Sequence, residues 1–468
     1  MHYNNVLSRK GHNAMHSRTR DMTSGSIVKQ IIAFSLPLML GNIFQMLYNT
    51  VDSMVVGNFV SKQALAAVGS TTMIVNMLVF FFNGFSVGAG VLISRHFGAR
   101  KTEELHVAVS TTMAATFIFC VIFTIIGVAG VRPMLRFMST PDDVFNDASL
   151  YLTIFFLGIS GLLIYNIGSS ILRAVGNTTL PLLFLVLTSI LNIILDLVFV
   201  IVFKTGIEGV AFATIIAQFV SAILVLYMLT TAQEIYRLTW HDLHINPRVL
   251  KSIFAVGLPA GIQSVITAFS NVFVQSYINF FGSSCMAGWS CYNKLDQFIM
   301  LPMSSMSMAA TTFVSQNIGA NQENRANRGT VTTISLSFAI TGLIAISLFV
   351  FAAPAVSLFT KDEEVISYGS MFIHTNIFFL LFNCINHVLA GALRGRGDSK
   401  GPMIIMITSF VVLRQIYLFI VSRFVSNTPR VIGFGYPVGW MTCCVIELAY
   451  FFIRWGIKTG KGIAKTAS

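Results

Sequence analysis

Long apolar runs alternate with short polar connections over almost the whole chain, and each run approaches or exceeds the roughly 20 residues a helix needs to cross a bilayer. On that length criterion the pattern predicts spans near 33–59, 66–93, 107–131, 148–171, 179–203 and 207–231. A second set is expected near 252–281, 287–313, 330–356, 366–392, 402–424 and 434–456, after the polar segment Gln233 to Arg248. In lipid every backbone polar group must be satisfied within the segment, so runs of this length read as helices. The expected fold is an all-α integral membrane protein with twelve transmembrane helices in two six-helix lobes. The expected organisation is a disordered cytosolic tail over 1–26, an N-terminal lobe over 27–232, a cytoplasmic linker over 233–249, a C-terminal lobe over 250–456 and a basic cytosolic tail over 457–468.

The polar residues that interrupt these runs are patterned. In the fifth run, Thr188, Asn192 and Asp196 recur at steps of four and fall on one helical face. In the first run, Asn42, Gln45, Asn49 and Asp52 recur at steps of three and four, again on one face. A carboxylate facing lipid is costly, so Asp52 and Asp196 are expected to face protein or a water-filled cavity and to be candidates for one shared site. Helix packing through amides would account for Asn42, but it has no need of an acid. The second half carries corresponding stripes of other chemistry, namely Gln263, Thr267, Asn271 and Gln275, then Asn376, Asn383 and His387. Among these only His387 titrates near neutrality, so ion coupling is assigned to the first half and His387 is read as a packing or interfacial histidine. Gln45, Asn49, Gln263, Thr267, Asn271 and Asn383 are candidates for lining a substrate cavity. Lys294, Asp296, Arg414 and Glu447 are expected to be structural or gating charges, paired between helices, for example Arg414 with Glu447.

The halves also repeat. VKQIIAFSLP (Val28 to Pro37) matches LKSIFAVGLP (Leu250 to Pro259), SRHFGA (Ser94 to Ala99) matches SQNIGA (Ser315 to Ala320), and LRAVGNTTLP (Leu172 to Pro181) matches LRGRGDSKGP (Leu393 to Pro402). Six spans per half is an even number, so the halves enter the membrane in the same direction. They relate by a pseudo-twofold axis along the membrane normal, the architecture of alternating-access transporters.

Composition agrees with this picture, since 55% of the 468 residues are hydrophobic and 10% are charged, against roughly 25% charged in soluble proteins. The net charge of +12 is scattered over short connections and tails, which excludes a nucleic-acid footprint. Lys and Arg concentrate on the side that holds both tails and the even-numbered connections, so both termini are expected in the cytoplasm of a cell-membrane protein. The six cysteines lack metal-ligand spacing and read as buried thiols. His241, Asp242 and His244 are too few for a metal site. The sequence has no Walker-type phosphate loop and no nucleophile–base arrangement, so neither ATP-driven transport nor a membrane enzyme is expected, and no cofactor or metal is implied. Gly84, Gly88, Gly90, Gly158 and Gly161 suit close helix packing or bending, and Met300, Met303, Met306 and Met308 suit an adaptable apolar lining.

Two six-helix halves, the Asp52 stripe, the NIILD stretch and the paired LRxxG segments resemble the multidrug and toxic compound extrusion (MATE) transporters over about residues 22–456. The resemblance is closer to the prokaryotic branch of DNA-damage-inducible protein F than to the sodium-coupled multidrug exporters. It implies cation-coupling roles for Asp52, Asn192 and Asp196, with Thr214 as a fourth member. The acids that the sodium-coupled branch carries in its seventh and tenth helices fall here near Thr267 and Asn383. The implied activity is export of small organic cations in exchange for protons, or sodium, by a membrane-embedded monomer. A lipid-linked saccharide flippase of the same superfamily would want a cationic cavity for pyrophosphate, whereas the first-half stripes are anionic; a membrane-embedded enzyme or receptor is the remaining alternative.

Overall fold

The structure is a computed structural model that describes residues 19–455. The basic tail expected over 457–468, and residues 1–18 of the expected N-terminal tail, lie outside the described residues. The last part of that tail is not free chain: Met22 is fully buried, and the Arg20 amide donates to the Val175 carbonyl over 3.1 Å.

Twelve helices are long and apolar enough to span a membrane. They are α1 (Ile27–Val60), α2 (Lys62–Gly98), α3 (Thr102–Phe137), α4 (Asp142–Ala174), α5 (Thr179–Val202), α6 (Gly206–Thr231), α7 (Pro247–Asn279), α8 (Ser283–Gly319), α9 (Glu323–Val350), α10 (Glu363–Gly395), α11 (Lys400–Val425) and α12 (Pro429–Trp455). Most outrun their apolar stretch, because caps and charged first turns lie beyond it; α3, for example, opens on Glu103 and Glu104, where carboxylates favour a helix start. The ninth span is shorter than expected. It stops at Val350, and a separate short helix, Ala352–Ser357, follows, with Pro354 unable to supply the amide that a continuous helix would need.

The repeated sequence segments are helix terminators. Gly176 and Gly397 have φ of 84° and 87°, the left-handed conformation that favours glycine. Around them Asn177 N donates to Leu172 O and Gly176 N to Arg173 O, while Asp398 N donates to Leu393 O and Gly397 N to Arg394 O. These are the paired bonds of a Schellman stop. The next residue then caps the following helix: Asn177 Oδ1 accepts from Leu180 N and Asp398 Oδ1 from Gly401 N. The FGA and IGA segments end α2 and α8 in the same way, with Arg100 and Asn321 at positive φ.

The contacts repeat as the sequence does. In the first half α2 packs on α4, α4 on α6 and α5 on α6; in the second, α8 packs on α10, α10 on α12 and α11 on α12. Two compact units result, one formed by Leu36–Gly261 and the other by Thr23–Ser35 with the chain from Ile262 onward. In the first, Ser94 Oγ donates to Ala174 O and Ser170 Oγ to Ser86 O, which fasten α2 to α4. A Cβ at Gly161 would lie 2.9 Å from the Gln218 backbone, and one at Gly88 would lie 2.2 Å from the Ile253 carbonyl, so these glycines allow helices to touch. In the second unit, the core gathers Trp289, Tyr292, Phe372, Met303 and Trp440. The linker docks on α3, where Ser110 Oγ donates to Asp242 O and the Asn246 amide donates to Thr111 Oγ1. All six cysteines are free and buried.

Candidate functional site

The polar stripes of α1 and α5 meet inside the first unit. Asp196 is fully buried, Asn192 is 3% exposed and Asp52 is half-buried, and the side chains of Asp52 and Asp196 come together. Tyr48 and Tyr151 stand beside both carboxylates. Among the described residues, no donor or acceptor reaches either oxygen of Asp196, either polar atom of the Asn192 amide, or the sealed Oδ1 of Asp52. Ionised carboxylates only accept, so two of them in contact form a hydrogen bond only when a proton lies between them. The arrangement can therefore hold a proton, or a small cation that oxygen ligands suit.

Each acid stands just before a change of helix type. α1 continues after Val55 as a π-helical turn, Val56–Val60, and α5 after Leu197 as another, Val198–Val202. Wide turns of this kind are concentrated at functional sites. No residue pattern announces them.

Below the acid pair, toward the α4–α5 connection, the same unit encloses a cavity of about 120 Å³. Asn42, Gln45 and Tyr48 line it from α1, Tyr165, Asn166 and Arg173 from α4, Thr188, Ser189 and Asn192 from α5, and Thr214, Gln218 and Ser221 from α6. Thr188 and Ser221 are joined by a 2.8 Å hydrogen bond, and Tyr165 donates to the Pro181 carbonyl. Thr214 lines the cavity beside Asn192, but its hydroxyl proton is given to Val210 O, so only its lone pairs face a ligand. Asn49, expected in the lining, is exposed and takes no part in it. Tyr48 shares the face of Asn42 and Gln45 and was open to discovery from spacing; nothing in the sequence marked Tyr151, Arg173 or Gln218.

The candidates of the second unit are engaged in protein contacts. Gln263 is buried, its Oε1 accepting from Arg394 and its amide pointing at Met406. Asn271 accepts from Arg414, Asn383 donates to the Met300 sulfur, and Thr267 is half-buried. The expected pair of Arg414 with Glu447 is not formed. Arg414 donates to Ser270 Oγ over 2.7 Å and to Asn271 Oδ1 over 2.9 Å, with its guanidinium 4.9 Å from the Tyr436 ring. Glu447 is sealed beside Cys443, within electrostatic reach of Arg394. The reason is local: the π-helical turn Thr408–Leu413 inserts a residue directly before Arg414, turning it by about 100° from the direction a straight helix gives. Lys294 is exposed over Phe359, and Asp296 has one sealed oxygen without a partner. Among the described residues, no group of three or more His, Cys, Asp or Glu could hold a metal, the linker histidines included.

Two lobes of repeated helices, one with a sealed carboxylate pair, define a transporter class, and comparison with known proteins fixes which one. The MatE family model matches residues 37–198 and 259–420, so the chain belongs to the MatE family. Among curated relatives, the probable multidrug resistance protein YpnP of Bacillus subtilis is 28% identical over 438 residues, covering 93% of this chain and 97% of its own. YoeA of the same organism, also a probable multidrug resistance protein, is 25% identical over 447 residues, 94% of this chain and 96% of its own. A solved outward-facing structure of a multidrug resistance MATE family transporter of the MOP superfamily superposes with a TM-score of 0.88, covering 94% of this chain and 98% of that one at 23% identity. That likeness corroborates the twelve-helix fold.

Proposed function

We propose that this chain is a secondary antiporter that exports small organic compounds, cationic or amphipathic, from the cell across the cytoplasmic membrane by alternating access. Protons drive it, loaded at Asp52 and Asp196, with Asn192 and the lone pairs of Thr214 completing the site. The observation that carries this reading is the contact of two carboxylates in a sealed pocket with no other protein partner. A proton between them joins α1 to α5; once it leaves, like charges face each other and the helices part. An ion drives such a change only through different affinity for the two states, and a site that is a good ligand cage only while α1 and α5 are together has that property. The second unit holds no comparable acid pair among its described candidates, since Gln263 and Asn271 are taken up by arginines. Coupling through the first lobe alone places the chain with the branch of DNA-damage-inducible protein F, acting as a monomer with both termini cytoplasmic.

Efflux of a cationic dye from proteoliposomes under an imposed proton gradient tests the proposal. Asp52→Asn and Asp196→Asn are each expected to lower gradient-driven efflux by at least about tenfold while leaving dye binding measurable. Undiminished efflux in both variants would remove the coupling site, and efflux that follows an imposed sodium gradient instead would replace the ion.

A further inference from the structure

The cavity in the first unit has an electrostatic character of its own. Arg173 lines it, and no carboxylate of the described residues lies within ion-pair distance of its guanidinium. Tyr165 is its neighbour, and no carboxylate lines the cavity at all. A fixed cation inside a membrane lobe without a counter-charge is costly unless something arrives to neutralise it.

The internal repeat shows what this arginine lacks. Aligning the LRAVG and LRGRG segments sets Arg173 against Arg394, and aligning the segments that end at Pro37 and Pro259 sets Gly41 against Gln263. In the second unit Arg394 donates to Gln263 Oε1 over 3.1 Å and faces Glu447. In the first, the position of that glutamine is a glycine, Gly41, which lines the cavity with Arg173. The glycine is not demanded by packing: a Cβ there would meet only Leu182 and Leu185 side chains at 3.6 Å, an ordinary contact. One lobe fills the space beside its arginine with a partner from the chain, and the other leaves the space open.

Within the antiporter reading above, on which this rests, we propose that the Arg173 cavity binds the carboxylate of amphipathic substrates, so that the transporter takes zwitterions as well as simple cations. The guanidinium supplies a forked donor matched to a carboxylate. Across the cavity, Gln218 Oε1 is sealed and lacks a donor, so it can accept from an N–H group on the same ligand. At about 120 Å³ the space is smaller than the roughly 300–1,000 Å³ of sites that enclose a drug-sized molecule. It fits the carboxylated end of such a molecule, with the remainder outside it.

The test is direct binding to the full-length protein in lipid nanodiscs, read by fluorescence anisotropy with two xanthene dyes that differ only in whether the benzoate is free or methyl-esterified. Wild type is expected to bind the free acid about tenfold or more tighter than the ester, the scale of one charge-assisted hydrogen bond. Arg173→Gln is expected to abolish that preference while keeping affinity for the ester. Gly41→Gln, which supplies the partner found in the other lobe, is expected to do the same with the arginine in place, so the result stands even if the first variant folds poorly. Asp196→Asn should retain the preference, which separates this cavity from ion coupling: failed transport with an intact acid preference overturns the antiporter reading alone. Equal affinity of wild type for both dyes, or a preference that survives Gly41→Gln, overturns the carboxylate site.

Discussion

Asp196 is flanked by groups that cannot satisfy it, and that single circumstance decides how the site behaves. Asn192 lies one helical turn away with both amide atoms unpartnered, and Asp52 brings a second carboxylate in place of a donor. Both acids were legible in the sequence because a charged residue in an apolar run has few tolerable environments. Arg173 and Gln218 were not, since a helix-end arginine and a lone glutamine have many. The same difference explains the misplaced pairing of Arg414: opposite charges in a lobe suggest a partnership, but a π turn decided where the side chain went. Arg414 and Glu447 should therefore be energetically independent. A double-mutant cycle with Arg414→Met and Glu447→Gln, measured by unfolding in mixed micelles, is expected to give a coupling energy below about 0.5 kcal/mol, whereas 2 kcal/mol or more on the same scale would restore the ion pair.

At the level of elements, apolar length identified all twelve spans, and their ends followed from motifs whose purpose emerged only with the backbone. LRxxG followed by Asn or Asp reads as a repeat in sequence; in three dimensions it is a helix stop followed by a helix cap. The two copies differ in surroundings. A Cβ at Gly176 would lie 2.4 Å from the Arg20 carbonyl, while Gly397 carries only the cost of its left-handed φ. Gly397→Ala is expected to destabilise by about 1 kcal/mol and Gly176→Ala by more, as thermal unfolding of the two variants would show. Equal losses would mean that the N-terminal segment contributes nothing at that turn. The π turns after Val55 and Leu197, by contrast, leave no trace in hydropathy, because the residues that form them are as apolar as those before them.

For the whole molecule, the repeat carried the most information, because matching segments in the same order imply matching helix contacts, and those contacts recur in the two halves. The direction of insertion follows from where the basic residues lie, with α2–α3 and the other even-numbered connections on the cytoplasmic side. Since the native cysteines are buried, single cysteines report this cleanly. Lys101→Cys should react with a membrane-impermeant thiol reagent only in inverted vesicles, and Lys361→Cys only in intact cells. The reverse pattern would turn the protein over and, with it, the direction of transport. The central claim, that a proton is held between Asp52 and Asp196, is tested most directly by infrared difference spectroscopy of the purified protein across a pH titration. A protonated-carboxyl band that disappears in both Asp52→Asn and Asp196→Asn is the expected result; a band unchanged in either variant would contradict it.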